Sequence, residues 1–313
     1  MRHPEKGAFK ATRDQADRRL DRVLRGLFRE VPLGSIMKAV RDGSVRVNGL
    51  ACKGCDRLSE GDAVTLPWPV RDEFHEPPSG EARSTPALCP EAPTIFKNGD
   101  IWCVDKPAGL LSQPDRAGGD SLITRAWKAL NWVRNDFRPA VIGRLDRNVS
   151  GVVAIALNAP ALRAMSESMR ASEIRKIYLA VVSGDAPTDG EISIPLHKEA
   201  DGNFVRAARP SEAGLNALTR FRKLRSNGKY SLLEVELLTG RPHQARVHLA
   251  CAGHPIVGDR KYGARACRAF ADRPMLHSFS MSFPDSSHLP EGVRGLVAVS
   301  PAPQFFLTLV SQR

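Results

Sequence analysis

The stretch Gly143-Arg144-Leu145-Asp146-Arg147-Asn148-Val149-Ser150-Gly151 runs straight into the apolar segment Val152-Val153-Ala154-Ile155-Ala156-Leu157, which stops at Asn158. A segment so short, rich in β-branched residues and bounded by turn residues, reads as a buried strand, and the chain must build a core sheet around it. Asp146 then lies on a loop feeding that strand, where a rigid scaffold can carry functional groups. Two arginines flank it, and neighbouring positive charge favours the ionised carboxylate. Such a carboxylate can act as a nucleophile or stabilise positive charge on a sugar. It can equally belong to a structural Arg-Asp-Arg ion cluster, and the nine residues alone leave both readings open.

At 313 residues the chain is long enough for one large core or for two domains. It carries 46 Lys and Arg against 34 Asp and Glu, a formal net charge of +12. An excess of this size suits a polyanionic partner, nucleic acid first. No apolar run is long enough to span a bilayer, so no membrane partner is expected. The residues Met1 to Phe9 lack the apolar segment of a signal peptide, and the six cysteines stand at irregular spacing. Both features point to reduced thiols and a cytoplasmic setting. No obligate protein partner is evident.

Residues 16–69 are expected to form a small domain. Leu20, Val23, Leu24 and Leu27 recur at helical spacing, and Leu33, Ile36, Met37 and Val40 fit a second short helix ended by Asp42-Gly43. Ser44 to Val47 alternates as a strand, turned by Asn48-Gly49, and Ala63 to Leu66 supplies another. Arg18, Arg22, Arg25, Lys38, Arg41 and Arg46 offer charges to a phosphate backbone from these elements. Residues 70–98 read as a linker, crowded by Pro77, Pro78, Pro86, Pro90 and Pro93. Residues 99–313 form the larger domain. Strand patterns at Ile101 to Val104, Ile177 to Val182, Ala217 to Leu224, Tyr230 to Leu238 and Met275 to Phe283 alternate with helical spacing at Leu122 to Val133 and Ala159 to Met169. The expected class is α+β: a mixed, mainly antiparallel sheet with helices packed against it.

Four segments, in order, carry a resemblance. The string around Asp146 is similar to the catalytic loop of the RluA-type pseudouridine synthases, which convert uridine in RNA to its carbon-linked isomer. That family usually shows His-Arg-Leu-Asp, then Arg or Lys, two variable residues, Ser and Gly. Val104-Asp105-Lys106-Pro107-Ala108-Gly109-Leu110 resembles its first motif, and Arg175 to Gly184 its tyrosine strand. Leu238-Thr239-Gly240-Arg241-Pro242-His243-Gln244-Ala245-Arg246-Val247-His248-Leu249 resembles its third motif, continued by Gly253 to Asp259 and Tyr262-Gly263. The N-terminal helix-helix-sheet pattern resembles the RNA-binding domain named after ribosomal small-subunit protein four, which accompanies family members acting on large-subunit ribosomal RNA.

The resemblance implies an extended sheet with a central cleft and places Asp146 at the centre of the chemistry. It implies that the Tyr178 ring packs against the flipped base, a contact worth about 1–3 kcal/mol in stacking. It makes Arg246 the ion-pair partner of Asp146, as a buried carboxylate requires. Arg144 and Arg147 are expected to meet phosphates or brace the loop. Arg246 is expected in a helix opening at Pro242. No cofactor and no metal are expected: the reaction is internal to one nucleotide, and His243 and His248 lack the companions of a ligand set. Cys52-x-x-Cys55 lacks a second pair at zinc-finger spacing. Ribosomal RNA is favoured over transfer RNA as the substrate. The rival readings are a transfer-RNA-directed synthase, a non-catalytic RNA-binding or assembly protein of the same descent, and a retaining glycoside hydrolase, which would need a second carboxyl group. Gly143 stands where the family usually has His, Ala245 where Ile is common, and Pro242 where a polar or larger residue stands.

Overall fold

A computed structural model describes residues 7–28, 31–69, 92–115, 119–132, 137–199, 204–263 and 273–311. The chain divides into two compact units, one N-terminal and one made mainly of residues from Pro86 onward.

The N-terminal unit contains β1 (Gly7–Lys10), α1 (Leu20–Leu27), α2 (Leu33–Arg41), β2 (Arg46–Val47), β3 (Leu50–Ala51) and β4 (Ala63–Leu66). Among the described residues its sheet has the order β1-β4-β2-β3, with antiparallel pairs throughout. The helices form because their apolar side chains fall on one stripe: Leu20, Val23 and Leu24 from α1 meet Ile36, Ala39 and Val40 from α2 over Val45, Val64 and Leu66. Each buried Leu or Val of this set contributes roughly 1.5–3 kcal/mol. The turn at Asn48-Gly49 has left-handed backbone at both positions, φ 52° and 78°, as a two-residue hairpin requires. β1 has no counterpart in the sequence reading. It pairs along β4, so this unit begins ahead of Ala16.

The larger unit opens with β5 (Thr94–Lys97) and β6 (Ile101–Lys106), then α3 (Leu122–Ala129), β7 (Ala140–Ile142), β8 (Ser150–Ala156), α4 (Ala159–Arg170) and β9 (Arg175–Ser183). It continues through β10 (Asp189–Ser193), β11 (Leu196–Lys198), β12 (Val205–Ala207), β13 (Leu218–Ser226), β14 (Tyr230–Leu237), α5 (Gln244–Cys251), β15 (Leu276–Ser282), β16 (Val297–Val299) and α6 (Gln304–Ser311). Its main sheet runs β10-β13-β14-β9-β15-β8-β6-β5, with β16 beside β15 and β7 beside β8. Every pairing in it is antiparallel except β15 with β8. This is the α+β class with a mixed, mainly antiparallel sheet.

The expected linker is too long at its C-terminal end. Thr94–Lys97 pairs with β6 across the turn at Asn98, and Ala92 is buried with Trp102. The prolines stop short of these strand residues, and Asn98 closes the turn by accepting hydrogen bonds from the Asp100 and Ile101 amides. Residues 70–91, the rest of that stretch, lie outside the described residues.

The apolar run at β8 is explained by layering. Val152, Ala154 and Ala156 pack with Ala161 and Met165 of α4, while Val153 and Ile155 pack on the other face with Leu122, Ile123 and Ala126 of α3. A strand covered on both faces reads as a continuous apolar run, not as an alternating one. Gly151, at φ 114°, lets β15 approach. A Cβ there would stand 2.1 Å from the Ser278 carbonyl oxygen, so the parallel pairing demands glycine.

Candidate active site

Asp146 lies on the loop between β7 and β8, and this loop is held from beneath by the segment after β6. The Lys106 ammonium is buried and donates to the carbonyls of Pro107, Leu110 and Arg147 at 2.8, 2.8 and 3.2 Å. The Gly109 amide donates to Arg147 O at 2.8 Å, and the Arg147 Nε returns a bond to Gly109 O at 3.0 Å. Ser112 closes the other side: its hydroxyl donates to Leu145 O and accepts from Leu145 N, at 2.9 and 3.1 Å. Burial pushes the Lys106 ammonium down to about 8, with the Asp146 charge opposing the shift. The carboxylate is thus presented by a loop whose backbone polar groups are tied to a second loop.

Its partner comes from a distance. Arg246 on α5 donates from Nη1 to Asp146 Oδ2 at 2.7 Å. The same guanidinium donates from Nε and Nη2 to the two oxygens of Asp259, at 2.7 and 2.9 Å. Asp259 is fully buried and also accepts from the Lys261 and Tyr262 amides. Burial alone would raise its carboxyl, but the Arg246 bonds and charge outweigh that and hold it below the usual range. Burial likewise opposes the charge on Arg246, and its two carboxylates raise it instead. A planar fork bonded along one edge to Asp259 cannot rotate, so its remaining Nη1 fixes Asp146. Asp146 Oδ1 has no hydrogen bond to any described residue, and the side chain keeps 29 % exposure.

α5 is itself pinned. Gln244 accepts from the Thr239 hydroxyl and the Arg241 amide, and donates to Leu218 O and the Thr219 hydroxyl. His248 is buried between Thr219 and the Ile194 carbonyl, as expected of a structural histidine. The helix starts at Gln244, not at Pro242, because His243 caps it in a left-handed conformation, φ 55°. That turn aims His243 into the site. Its Nε2 stands 3.7 Å from Asp146 Oδ2 and its Nδ1 2.7 Å from the Tyr262 hydroxyl. Burial holds the imidazole below its usual pKa, against the Asp146 charge, which favours its neutral form.

Asp146, Tyr178, Arg144 and Arg246 line one cleft of about 580 Å³, together with His243 and Lys261. This is the size range of a nucleotide-scale ligand site. Tyr178 is buried, and burial, then the Asp146 charge, push its phenol up to about 12. The alternative reading of an Arg-Asp-Arg ion cluster has no support: Arg147 braces the loop backbone, one of the two roles expected of it, and Arg144 has no partner among the described residues. Sequence reasoning missed Asp259, Tyr262, Lys106 and Ser112. The continuation of the third motif to Asp259 and the first motif at Lys106 are the available signals. The N-terminal cations belong to the other unit: Arg22, Arg25, Lys38, Arg41 and Arg46 are exposed or half-buried there, as is Arg18. Arg46 spends its guanidinium on the Gly43 and Gly49 carbonyls of its own hairpin.

One carboxylate held by a bonded arginine, beside a buried tyrosine in a cleft over a mixed sheet, has the groups that acid–base or nucleophilic chemistry requires. Comparison with known proteins gives the family. Residues 100–251 match the family described as RNA pseudouridylate synthase. The ribosomal large subunit pseudouridine synthase C of Vibrio parahaemolyticus is 32 % identical, over 88 % of this chain and 87 % of that protein. Its counterpart from Escherichia coli K12 is 33 % identical, over 81 % and 79 %. The solved structure of human RNA pseudouridylate synthase domain containing 4 shares the fold, with a TM-score of 0.55, 22 % identity, and coverage of 68 % of this chain and 90 % of that one. The chain belongs to the RluA-type family of RNA pseudouridine synthases. It is an isomerase acting on uridine in RNA.

Proposed function

We propose that this enzyme isomerises uridine in large-subunit ribosomal RNA, with Asp146 as the catalytic group. In the reaction the C1′–N1 bond breaks and a C1′–C5 bond forms, while C5 loses a proton and N1 gains one, so composition is unchanged. The observation that carries the assignment is the chain Asp259–Arg246–Asp146. It fixes Asp146 through Oδ2 and leaves Oδ1 for the substrate. Attack on the anomeric carbon, addition to the pyrimidine ring and removal of the neighbouring sugar proton can all start from that oxygen. Tyr178 supplies a buried neutral ring for the extruded base, and Arg144 a cation for a phosphate.

Ribosomal RNA is favoured because relatives of this length are named for the large ribosomal subunit. The N-terminal unit, with cations on two short helices, serves as an RNA anchor of the ribosomal small-subunit protein four type. The setting is cytoplasmic. No group donor is needed, and full activity is expected in excess chelator; loss of activity with removal of a stoichiometric metal would overturn this. The test of the assignment is to incubate purified enzyme with unmodified large-subunit ribosomal RNA and with transfer RNA, then map the carbon-linked isomer. Isomer confined to transfer RNA would refute the substrate, free uracil the reaction.

A further inference from the structure

A second cavity of about 370 Å³ adjoins the cleft. Arg144, Leu145, Tyr178, Leu237, Gly240 and Arg241 line both. Its described lining includes four cations, Arg144, Arg170, Lys176 and Arg241, and no carboxylate. Lys176 is the informative one. It lies on β9 two residues before Tyr178, is only 7 % exposed, and makes a single hydrogen bond among the described residues, to the Met169 thioether at 3.7 Å. A thioether is a weak acceptor, and a buried ammonium with no better partner is costly. Burial lowers its pKa for that reason. The Nζ sits against Met169 and Gly240, both of which line the cavity; a Cβ on Gly240 would be 3.5 Å from it. Arg144 and Arg170 likewise have no partner among the described residues, and Arg241 spends only its Nε, on the Asn216 carbonyl. The floor is deepened by Gly143, whose φ of 71° suits glycine and where a Cβ would come within 3.1 Å of the Met169 methyl.

A cationic cavity with a poorly satisfied buried ammonium is complementary to an anion with several acceptor oxygens. We propose that it is a phosphodiester site. It takes the backbone phosphate flanking the target uridine, with Lys176 inside and Arg144 and Arg170 at the rim, while the uridine itself lies in the cleft against Asp146. The site rests on the reading of the cleft as the uridine site. It assigns Lys176 as a positioning residue that anchors the strand on the far side of the flipped base.

The test is binding of a short single-stranded RNA with one uridine, measured against salt for the wild type, Lys176→Met and Arg170→Ala. It is repeated with the same RNA carrying a neutral methylphosphonate on the 5′ or the 3′ side of that uridine. Lys176→Met should weaken binding about tenfold and reduce the salt slope by about 0.7, the contribution of one phosphate contact on a single strand. One of the two methylphosphonates should weaken the wild type equally, and the two losses should not add. Arg170→Ala, at an exposed position, guards against a folding defect and should lower the slope in the same direction. Unchanged slopes in both variants, or additive losses, would overturn the phosphate site. Should free inorganic phosphate at millimolar levels abolish the difference between wild type and Lys176→Met, the cavity takes phosphate in general and not the strand. A wild type that binds but never forms isomer would instead refute the cleft reading, and the slopes would still decide the cavity.

Discussion

Arg246 Nη1 donates to Asp146 Oδ2 at 2.7 Å, across one hundred positions of sequence. The bond has force because Asp259 holds the rest of the guanidinium. Asp259→Asn should therefore cripple a reaction that Asp259 never touches. Breaking a buried pair costs about 3–5 kcal/mol of stability, and a misplaced carboxylate loses on the order of 10²-fold in rate. Arg246→Lys should not substitute, since an ammonium cannot bond both carboxylates in one plane. Thermal melting and single-turnover rates of the two variants check this. An Asp259→Asn enzyme with wild-type rate would show that the arginine needs no support.

Lys106 offers a different handle. Lys106→Met leaves three carbonyl acceptors without their ammonium, at about 1–3 kcal/mol for each that stays buried and unsatisfied. Melting temperature and rate should both fall. The wild type carries a pH signature as well. Burial holds the ammonium to about 8, below the roughly 10.4 of an unfolded lysine. The folded chain thus sheds this proton first, so this group's contribution to stability rises between those values while the loop loses one of its three donors. The single-turnover rate should decline above pH 8, and the decline should be missing in Lys106→Met. Parallel alkaline profiles would refute the link.

Two buried histidines and the half-buried His243 set the acid side. Burial lowers His243, His248 and His277 below their usual pKa, each chiefly by desolvation. Below about 6.5 the unfolded chain takes up protons that the folded chain refuses, so stability falls with pH, by about 1.4 kcal/mol per pH unit for each proton. The loss begins near 6.5 and ends once the folded histidines themselves titrate. Melting of the wild type and of His248→Gln between pH 5 and 7.5 should show a shallower slope in the variant. Identical slopes would count against a neutral His248.

Local signals are legible in the sequence and distant ones are not. α1 and α2 follow from Leu20, Val23, Leu24, Ile36 and Val40, because helical period needs only neighbours. β8 follows from its unbroken apolar run. β5 escapes because Thr94–Lys97 trails a proline-rich stretch, and β3 because Leu50 and Ala51 are exposed and carry no pattern. Asp146, Arg246, Tyr178 and Arg144 are readable from motifs, and they do meet in one cleft. Asp259 is marked only as the end of the third motif's continuation, and its role is not legible there: tertiary folding brings it to Arg246. His243 reads as structural or RNA-contacting, because its left-handed turn, which aims it at Asp146, is invisible in composition.

The N-terminal unit should act on affinity, not on chemistry. Replacing Arg22, Arg25 and Arg41 together by alanine removes cations that make no ion pair among the described residues. The salt slope of binding to structured ribosomal RNA should fall by roughly 0.7 to 0.9 for each phosphate that is no longer neutralised. Isomerisation of a short RNA at saturating concentration should be unaffected. An unchanged slope would show that this face does not meet RNA.

The most direct test changes one side-chain atom of the proposed catalytic group. Purified full-length Asp146→Asn, isosteric with the wild type, is assayed on an RNA that the wild type isomerises, with isomer and binding measured in the same preparation. The account predicts no detectable pseudouridine and an affinity within about tenfold of the wild type, because phosphate contacts supply most of the binding. Substantial isomer formed by Asp146→Asn would contradict it.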